Sequence, residues 1–315
     1  MKAKDLVALA DLSADEIWEI LKTAASLKQA WKAGQPEPLL QGKILGMIFQ
    51  KPSLRTRVSF EAGMKQLGGH AIYLSPDEIQ LGKRESVPDV ARVLSRFVDG
   101  IMARVFAHRD VETLAQYASV PVINGLSDFS HPCQGLADLL TVWEKLGRLR
   151  GVKLAYVGDG NNVANSLLEG GSKTGMHVVV ASPPGYGCSP AVVAAAQAEA
   201  AKEGGSVSAI SDPREAVDGA DVIYTDTWVS MGQEAEAEAR RKVFPPYQVN
   251  AALVRLAKPD VIVMHDLPAY RGSEITDEVM DGPHSVVFDQ AENRLHAQKG
   301  VLALLMGEKK GDGRG

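Results

Sequence analysis

Two arginines and two hydroxyls, Ser53-Leu54-Arg55-Thr56-Arg57, follow an apolar run at 43–49 and open a helical pattern over 55–67. A helix N-terminus presents unsatisfied N–H groups and a partial positive charge, which suits an anion. Ser53 and Thr56 add hydroxyl donors, and the Arg55 guanidinium adds a planar fork that matches a phosphate. The cluster reads as a site for a multiply charged anion. Arg57 is set apart, because Glu61 lies four residues on and offers it an ordinary helix-surface ion pair.

Other reactive side chains recur at strand ends. Arg104 closes the strand pattern GIMAR, and His131-Pro132-Cys133-Gln134 opens a helix just after the next strand. An arginine and a histidine there can hydrogen-bond a carbonyl oxygen and stabilise the oxyanion it becomes, while Gln134 can hold an amide. His131 and Cys133 lack the further ligands a zinc site needs. In the second half, GDGNN (158–162) follows a strand and resembles a dinucleotide fingerprint. Val163 stands where its third small residue belongs, and the next strand ends without an acid for a ribose, which argues against a nicotinamide cofactor. No phosphate-binding loop of the GxxxxGK[ST] type is present either. Asp226 and Ser230, in YTDTWVSMG, can take an ammonium and a carboxylate. Asp266, in HDLPAYRG, offers a second carboxylate, and Arg294 lies near the start of the last helical segment. Capping and turn formation are the plain structural alternatives for these aspartates.

The elements that must position these residues alternate between short apolar strands and helical patterns, the signature of parallel sheets. Ser13 and Glu16 form a capping box ahead of a first helix. Further helices are expected from Ser86 to about Val98, behind an Asp110 cap, over 132–146, 162–173, 190–203, 213–218 and 250–257, and from about Ala291 to Met306. The basic, glycine-flanked GRLRG at 147–151 reads as a hinge. The expected architecture is α/β: two doubly wound domains, each with a central parallel sheet flanked by helices. Residues 1–147 form the first, with helix 291–306 packing back on it. Residues 148–290 form the second, and 307–315 a frayed tail. In such folds ligands sit beyond the carboxyl ends of the strands, where the reactive residues fall.

Composition narrows the function. A chain of 315 residues with net charge −5 is long enough for two cores and lacks the basic balance of a nucleic-acid binder. Two cysteines make no disulfide framework. No apolar stretch approaches membrane-spanning length and the N-terminal segment has no signal-peptide core, so a cytoplasmic location is expected.

Taken in order, these motifs resemble the aspartate/ornithine carbamoyltransferase family, in its ornithine type. S-x-R-T-R is Ser53 to Arg57 and H-P-x-Q is His131 to Gln134. The ornithine type adds the Asn161-Asn162 turn, D-x-x-x-S-M-G from Asp226 to Gly232, and an H-C-L-P motif. The resemblance implies a carbamoyl-phosphate site of Ser53, Leu54, Arg55, Thr56, Arg104, His131, Pro132, Cys133, Gln134 and Arg294, with main-chain oxygens of Asp266 and Leu267. It implies that Gln80 serves a neighbouring subunit's site in a homotrimer or a multiple of trimers. Asn162, Asp226, Ser230 and Met231 would hold ornithine, and neither metal nor organic cofactor is needed. One residue departs: HCLP is HDLP here, with Asp266 in the place of the cysteine. A carboxylate there can hold the attacking amine as its ammonium or accept its proton. That keeps open a different amine acceptor, putrescine or an acylated ornithine. A catalytically weak ligand-binding paralogue and a nicotinamide oxidoreductase are the more distant alternatives.

Overall fold

A computed structural model describes residues 1–230 and 233–308, apart from the Glu234 side chain. The chain divides into two compact units, one comprising Met1–Leu140 with the segment from Asn293 onward, the other Thr141–Glu292.

Unit one runs α1 (Ala14–Lys32), β1 (Ile44–Phe49), α2 (Leu54–Gln66), β2 (His70–Leu74), α3 (Pro76–Ile79), α4 (Val87–Leu94), β3 (Gly100–Arg104), α5 (His108–Tyr117), β4 (Val122–Leu126) and the start of α6 (Pro132–Leu146). Its described strands form a parallel sheet in the order β2-β1-β3-β4. Every residue of β3 is buried, as expected of an inner parallel strand covered on both faces. Ile48, Ile101 and Ala103 pack with Val90, Val111 and Leu114 of α4 and α5 into a core where solvent exposure falls to 4% or less. The strand order reverses between β1 and β3, so the loops after these two strands diverge and leave a crevice at their carboxyl ends. Thr56 and Arg104 stand there.

Unit two continues with β5 (Lys153–Val157), α7 (Asn162–Lys173), β6 (His177–Ala181), α8 (Pro190–Glu203), β7 (Ser206–Ile210), α9 (Pro213–Val217), β8 (Val222–Thr225), α10 (Ala237–Val243), α11 (Ala251–Val254), β9 (Ile262–His265), α12 (Asp277–Met280) and the start of α13 (Val287–Met306), the rest of which belongs to unit one. Its sheet is parallel in the order β7-β6-β5-β8-β9. The reversal falls between β5 and β8, the strands that lead into GDGNN and Asp226.

Three local expectations shift. Asp110 does not cap α5: Ala107 is the N-cap, and the Asp110 carboxylate sits in the first turn accepting from Gln50 Nε2 at 3.1 Å. Helix α4 ends at Leu94, where the Ser95 hydroxyl donates to Ala91 O at 2.7 Å; a serine that bonds back to the helix favours its end. Helix α13 begins at Val287 rather than near Ala291, with Asp289 in its first turn.

Candidate active site

Helix α2 begins as its sequence predicts. Ser53 is the N-cap, and its Oγ accepts from Thr56 N at 3.3 Å and donates to Thr56 Oγ1 at 3.1 Å. Thr56 is fully buried and gathers two cations: Arg294 Nη2 donates to its hydroxyl at 3.0 Å and Arg104 Nη1 at 3.4 Å. A register shift in the β3–β4 pairing helps to aim Arg104. Ala103 faces Asn124 but Arg104 faces Leu126, so Gly125 is the extra residue of a bulge. Bulges turn a strand locally and redirect its side chains. A side chain at Gly125 would have its Cβ 2.5 Å from Met102 Sδ, so Met102 would have to shift to admit one.

Arg294 also donates through Nη1 to Gln134 Oε1 at 2.8 Å. Gln134 is held from its other end, where Nε2 donates to Asp138 Oδ1 at 2.8 Å. Arg104 and Arg294 are 5% and 4% exposed, and His131 is 2% exposed. Burial, reinforced by the charges of Arg294, Arg104 and Arg55, holds the His131 imidazole well below its usual 6.5. His131 is therefore neutral at physiological pH and can donate an N–H without carrying charge. Two guanidiniums buried this deeply are costly unless charge of the opposite sign meets them. The cluster gathers donors that suit an anion.

The other residues expected here separate. Leu54 is the first residue of α2 and 77% exposed. Arg57 pairs with Glu61 at 2.9 Å and lies over the Tyr73 ring, as its spacing predicts. Pro132 is the first residue of α6. Cys133 is buried, and burial pushes its thiol up to about 12, so it is no nucleophile. Gln80 is exposed at the C-cap of α3, in a left-handed conformation (φ 40°), and donates to Asp77 O at 3.4 Å, outside the buried cluster.

In unit two the loop after β5 serves the loop after β8. Asn161 caps α7 by accepting from Val163 N and Ala164 N, and its Nδ2 donates to Asp226 Oδ2 at 2.6 Å. The second Asp226 oxygen accepts from Thr227 N at 2.6 Å. Asp226 is 4% exposed and is thus a fixed carboxylate suited to an ammonium group. Asn162 begins α7, and Ser230 N donates to Gln233 Oε1 at 3.1 Å. Met231 lies outside the described residues.

Asp266 follows β9. Ligand atoms of Asp226, His265 and Asp266 all lie within 4.8 Å of one another. His265 does not offer a metal its ring: Nδ1 accepts Leu267 N–H at 2.9 Å, which leaves Nε2 to donate to Glu274 Oε1 at 3.0 Å. Leu267, with φ 61°, takes a left-handed conformation that side chains seldom adopt. This tight turn fixes the main chain at 266–267.

Sequence motifs did not flag Asn161 as the partner of Asp226, nor Asp138, Glu274 or Arg240. Arg240 ion-pairs with Asp159 at 2.8 Å, both side chains being 6% exposed, and donates to Trp228 O at 2.9 Å. Burial raises Asp159 to about 6 against the pull of Arg240.

Comparison with known proteins matches each half of the chain to a family model. Residues 4–144 match the aspartate/ornithine carbamoyltransferase carbamoyl-P binding domain, and residues 150–305 match the Asp/Orn binding domain of the same family. The chain belongs to the aspartate/ornithine carbamoyltransferase family. Among its relatives, the ornithine carbamoyltransferase of Pyrococcus abyssi is 62% identical over 310 residues, covering 98% of both chains. The anabolic ornithine carbamoyltransferase of Pyrococcus furiosus is 62% identical over 307 residues, also covering 98% of both. The solved structure of ornithine carbamoyltransferase from Pyrococcus furiosus superposes with a TM-score of 0.95 and 62% identity, covering 97% of this chain and 98% of that one. That from Thermus thermophilus gives 0.87 at 45% identity, covering 97% and 100%.

Proposed function

We propose that the chain transfers the carbamoyl group of carbamoyl phosphate to the δ-amine of L-ornithine, giving L-citrulline and phosphate in the direction of arginine synthesis. The observation that carries this reading is the buried Arg104–Thr56–Arg294–Gln134 cluster beside a neutral His131. Its donors suit a phosphoryl group and a carbonyl oxygen, and the acceptor on Gln134 suits an amide nitrogen.

Ser53, Arg55, Thr56 and the Leu54 main chain hold the phosphate at the start of α2. Arg104 bridges phosphate and carbonyl oxygen, and His131 and Arg294 stabilise the oxyanion that forms as the amine adds to the carbonyl carbon. The C–O bond to phosphate then breaks, and the departing phosphate takes up the amine's extra proton. Such catalysis is positioning and electrostatics, with donors fixed before the charge develops. Asp226 and Ser230, with Asn162 and Met231, hold the amino-acid end of ornithine, and Asp266 faces its reacting amine. The Asp266 and Leu267 carbonyls complete the carbamoyl contacts.

We further propose a homotrimer, or a multiple of it, with Gln80 serving a neighbouring subunit. Exposed Leu54 and Val58 support this, because they lie one turn apart on α2, where Val58 and Ala71 of the edge strand β2 line an open cleft. Apolar side chains gathered in this way mark an interaction surface. Among the described residues no helix is long and apolar enough to cross a membrane, and we place the enzyme in the cytoplasm.

The test is citrulline formation from carbamoyl phosphate and ornithine between pH 6 and 10, with putrescine and aspartate in parallel. Turnover selective for ornithine is expected. Preference for another amine would move the assignment to a sister specificity. Binding of carbamoyl phosphate without any turnover would point to a ligand-binding paralogue.

A further inference from the structure

A glutamine amide is nearly symmetric in shape, so its environment decides which end faces a ligand. Gln134 is gripped at both ends by groups of fixed polarity. Arg294, which can only donate, takes Oε1 at 2.8 Å. Asp138 as a carboxylate can only accept, and takes Nε2 at 2.8 Å. Reversing the amide would set N–H against guanidinium N–H and oxygen against carboxylate, losing two charge-assisted hydrogen bonds at once. Asp138 is one helical turn beyond Gln134 on α6, so the two side chains share a face. Both are 1% exposed, so water does not stand in for either bond. Arg294 alone does not fix this arrangement, since it also bonds Thr56 and its long side chain has other acceptors within reach.

We propose that Asp138 is a positioning residue: it holds the Gln134 oxygen toward the Thr56–Arg104–Arg294 cluster, and thereby makes the site select an acyl phosphate that carries N–H beside its carbonyl. The inference rests on the carbamoyl-phosphate reading of this cluster and adds the origin of its selectivity. A carbamoyl group donates to the Gln134 oxygen; an acetyl group of the same size, with a methyl there, does not. The phosphate grip is common to both ligands. Selectivity therefore resides in one hydrogen bond whose polarity Asp138 sets.

The experiment compares the affinity of carbamoyl phosphate with that of acetyl phosphate, the latter as a competitive inhibitor, in wild type, Asp138→Asn and Gln134→Glu/Asp138→Asn. One well-made hydrogen bond in a buried site corresponds to about a tenfold preference for carbamoyl phosphate in the wild type. An asparagine side chain can donate as well as accept, so D138N frees the Gln134 amide to reverse. The preference should then fall to about threefold or less, with acetyl phosphate affinity unchanged. The double variant exchanges the polarity of the pair: the introduced asparagine donates to one oxygen of the introduced carboxylate, and an acceptor faces the site again. It should recover the preference.

A wild-type ratio retained in D138N would overturn the inference, as would equal weakening of both ligands, the mark of a merely structural role. A wild-type protein that binds carbamoyl phosphate no better than acetyl phosphate would sink the carbamoyl-phosphate reading itself, and this inference with it. Should D138N fail to fold, the double variant decides alone: a preference kept supports the inference and equal affinities overturn it.

Discussion

Asp266 is where HDLP departs from the H-C-L-P motif of the resemblance, and its surroundings give the difference a direction. Asp226 already places one carboxylate at the proposed ammonium site, and Asp266 adds another within 4.8 Å of it, next to a His265 whose Nδ1 is engaged by Leu267 N–H. Negative charge beside an amine favours its ammonium form and raises its pKa. The unprotonated amine is the nucleophile, so the acidic limb of the rate profile should lie at higher pH than in a cysteine-bearing enzyme. Asp266→Cys should shift that limb toward lower pH by about one unit, as expected for loss of one nearby charge; an unmoved limb in kcat against pH would show that Asp266 does not reach the amine. His131 makes the opposite kind of statement, about stability. Its folded pKa is depressed by burial and by Arg294, Arg104 and Arg55, so below the unfolded value of 6.5 the unfolded chain binds the proton more readily. Stability is full above pH 6.5 and falls as pH drops from there toward the folded value. His131→Gln, which cannot titrate, should flatten that decline in denaturation midpoints measured between about pH 8 and 5.

At the scale of elements, α10 matters through one side chain. Arg240 joins Asp159 after β5, Trp228 O after β8 and Glu236 at 2.9 Å, and its guanidinium lies near the rings of Tyr186 and Phe244. It thus ties the turn that caps α7 to the loop that carries Asp226 and Ser230. Arg240→Met should raise the KM for ornithine by about tenfold or more, the cost of re-ordering a loop on binding, and leave the affinity for carbamoyl phosphate unchanged. Arg240→Lys should recover part of the loss. If both ligands weaken together, the clamp serves the fold and not the ligand. Because Asp159 sits near 6, with Asp226, Glu236 and Arg240 facing it, wild-type ornithine KM should also rise as pH falls through 6 and the ion pair is discharged.

These elements were unequally legible in the sequence. Helices 132–146, 162–173 and 190–203, and strands such as 206–210, stand where periodicity and short apolar runs put them, because each buries a face that its own sequence defines. The four-residue helices at 76–79 and 277–280 are too short to show a period. The anion cluster was readable as far as its members sit at strand ends. Their supports were not. Asp138, Glu274 and Arg240 act through partners brought together by the sheets, and a lone carboxylate or guanidinium in a sequence reads as surface until its partner is known.

At the scale of the molecule, each ligand has its own frame. The Arg104–Thr56, Arg294–Thr56 and Arg294–Gln134 hydrogen bonds lie within unit one, and the Asn161–Asp226 and Thr227–Asp226 bonds lie within unit two. Gln80, among the proposed carbamoyl-phosphate residues of unit one, stands apart from the buried cluster at the C-cap of α3, bonded to its own turn. In a cyclic trimer each interface repeats the same pairing of one subunit's Gln80 with its neighbour's His131. Chains carrying Gln80→Ala and chains carrying His131→Gln should each be nearly inactive alone, since every interface then lacks one partner. Dissociated together and reassembled at equal concentrations, they form interfaces at random. An interface is whole when an intact Gln80 meets an intact His131, which happens at about one in four, so the mixture should recover about a quarter of wild-type activity. Recovery that tracks the product of the two chain fractions would establish the shared site. Activity that stays at the level of the parents after confirmed subunit exchange would place Gln80 in its own subunit's chemistry or outside the reaction.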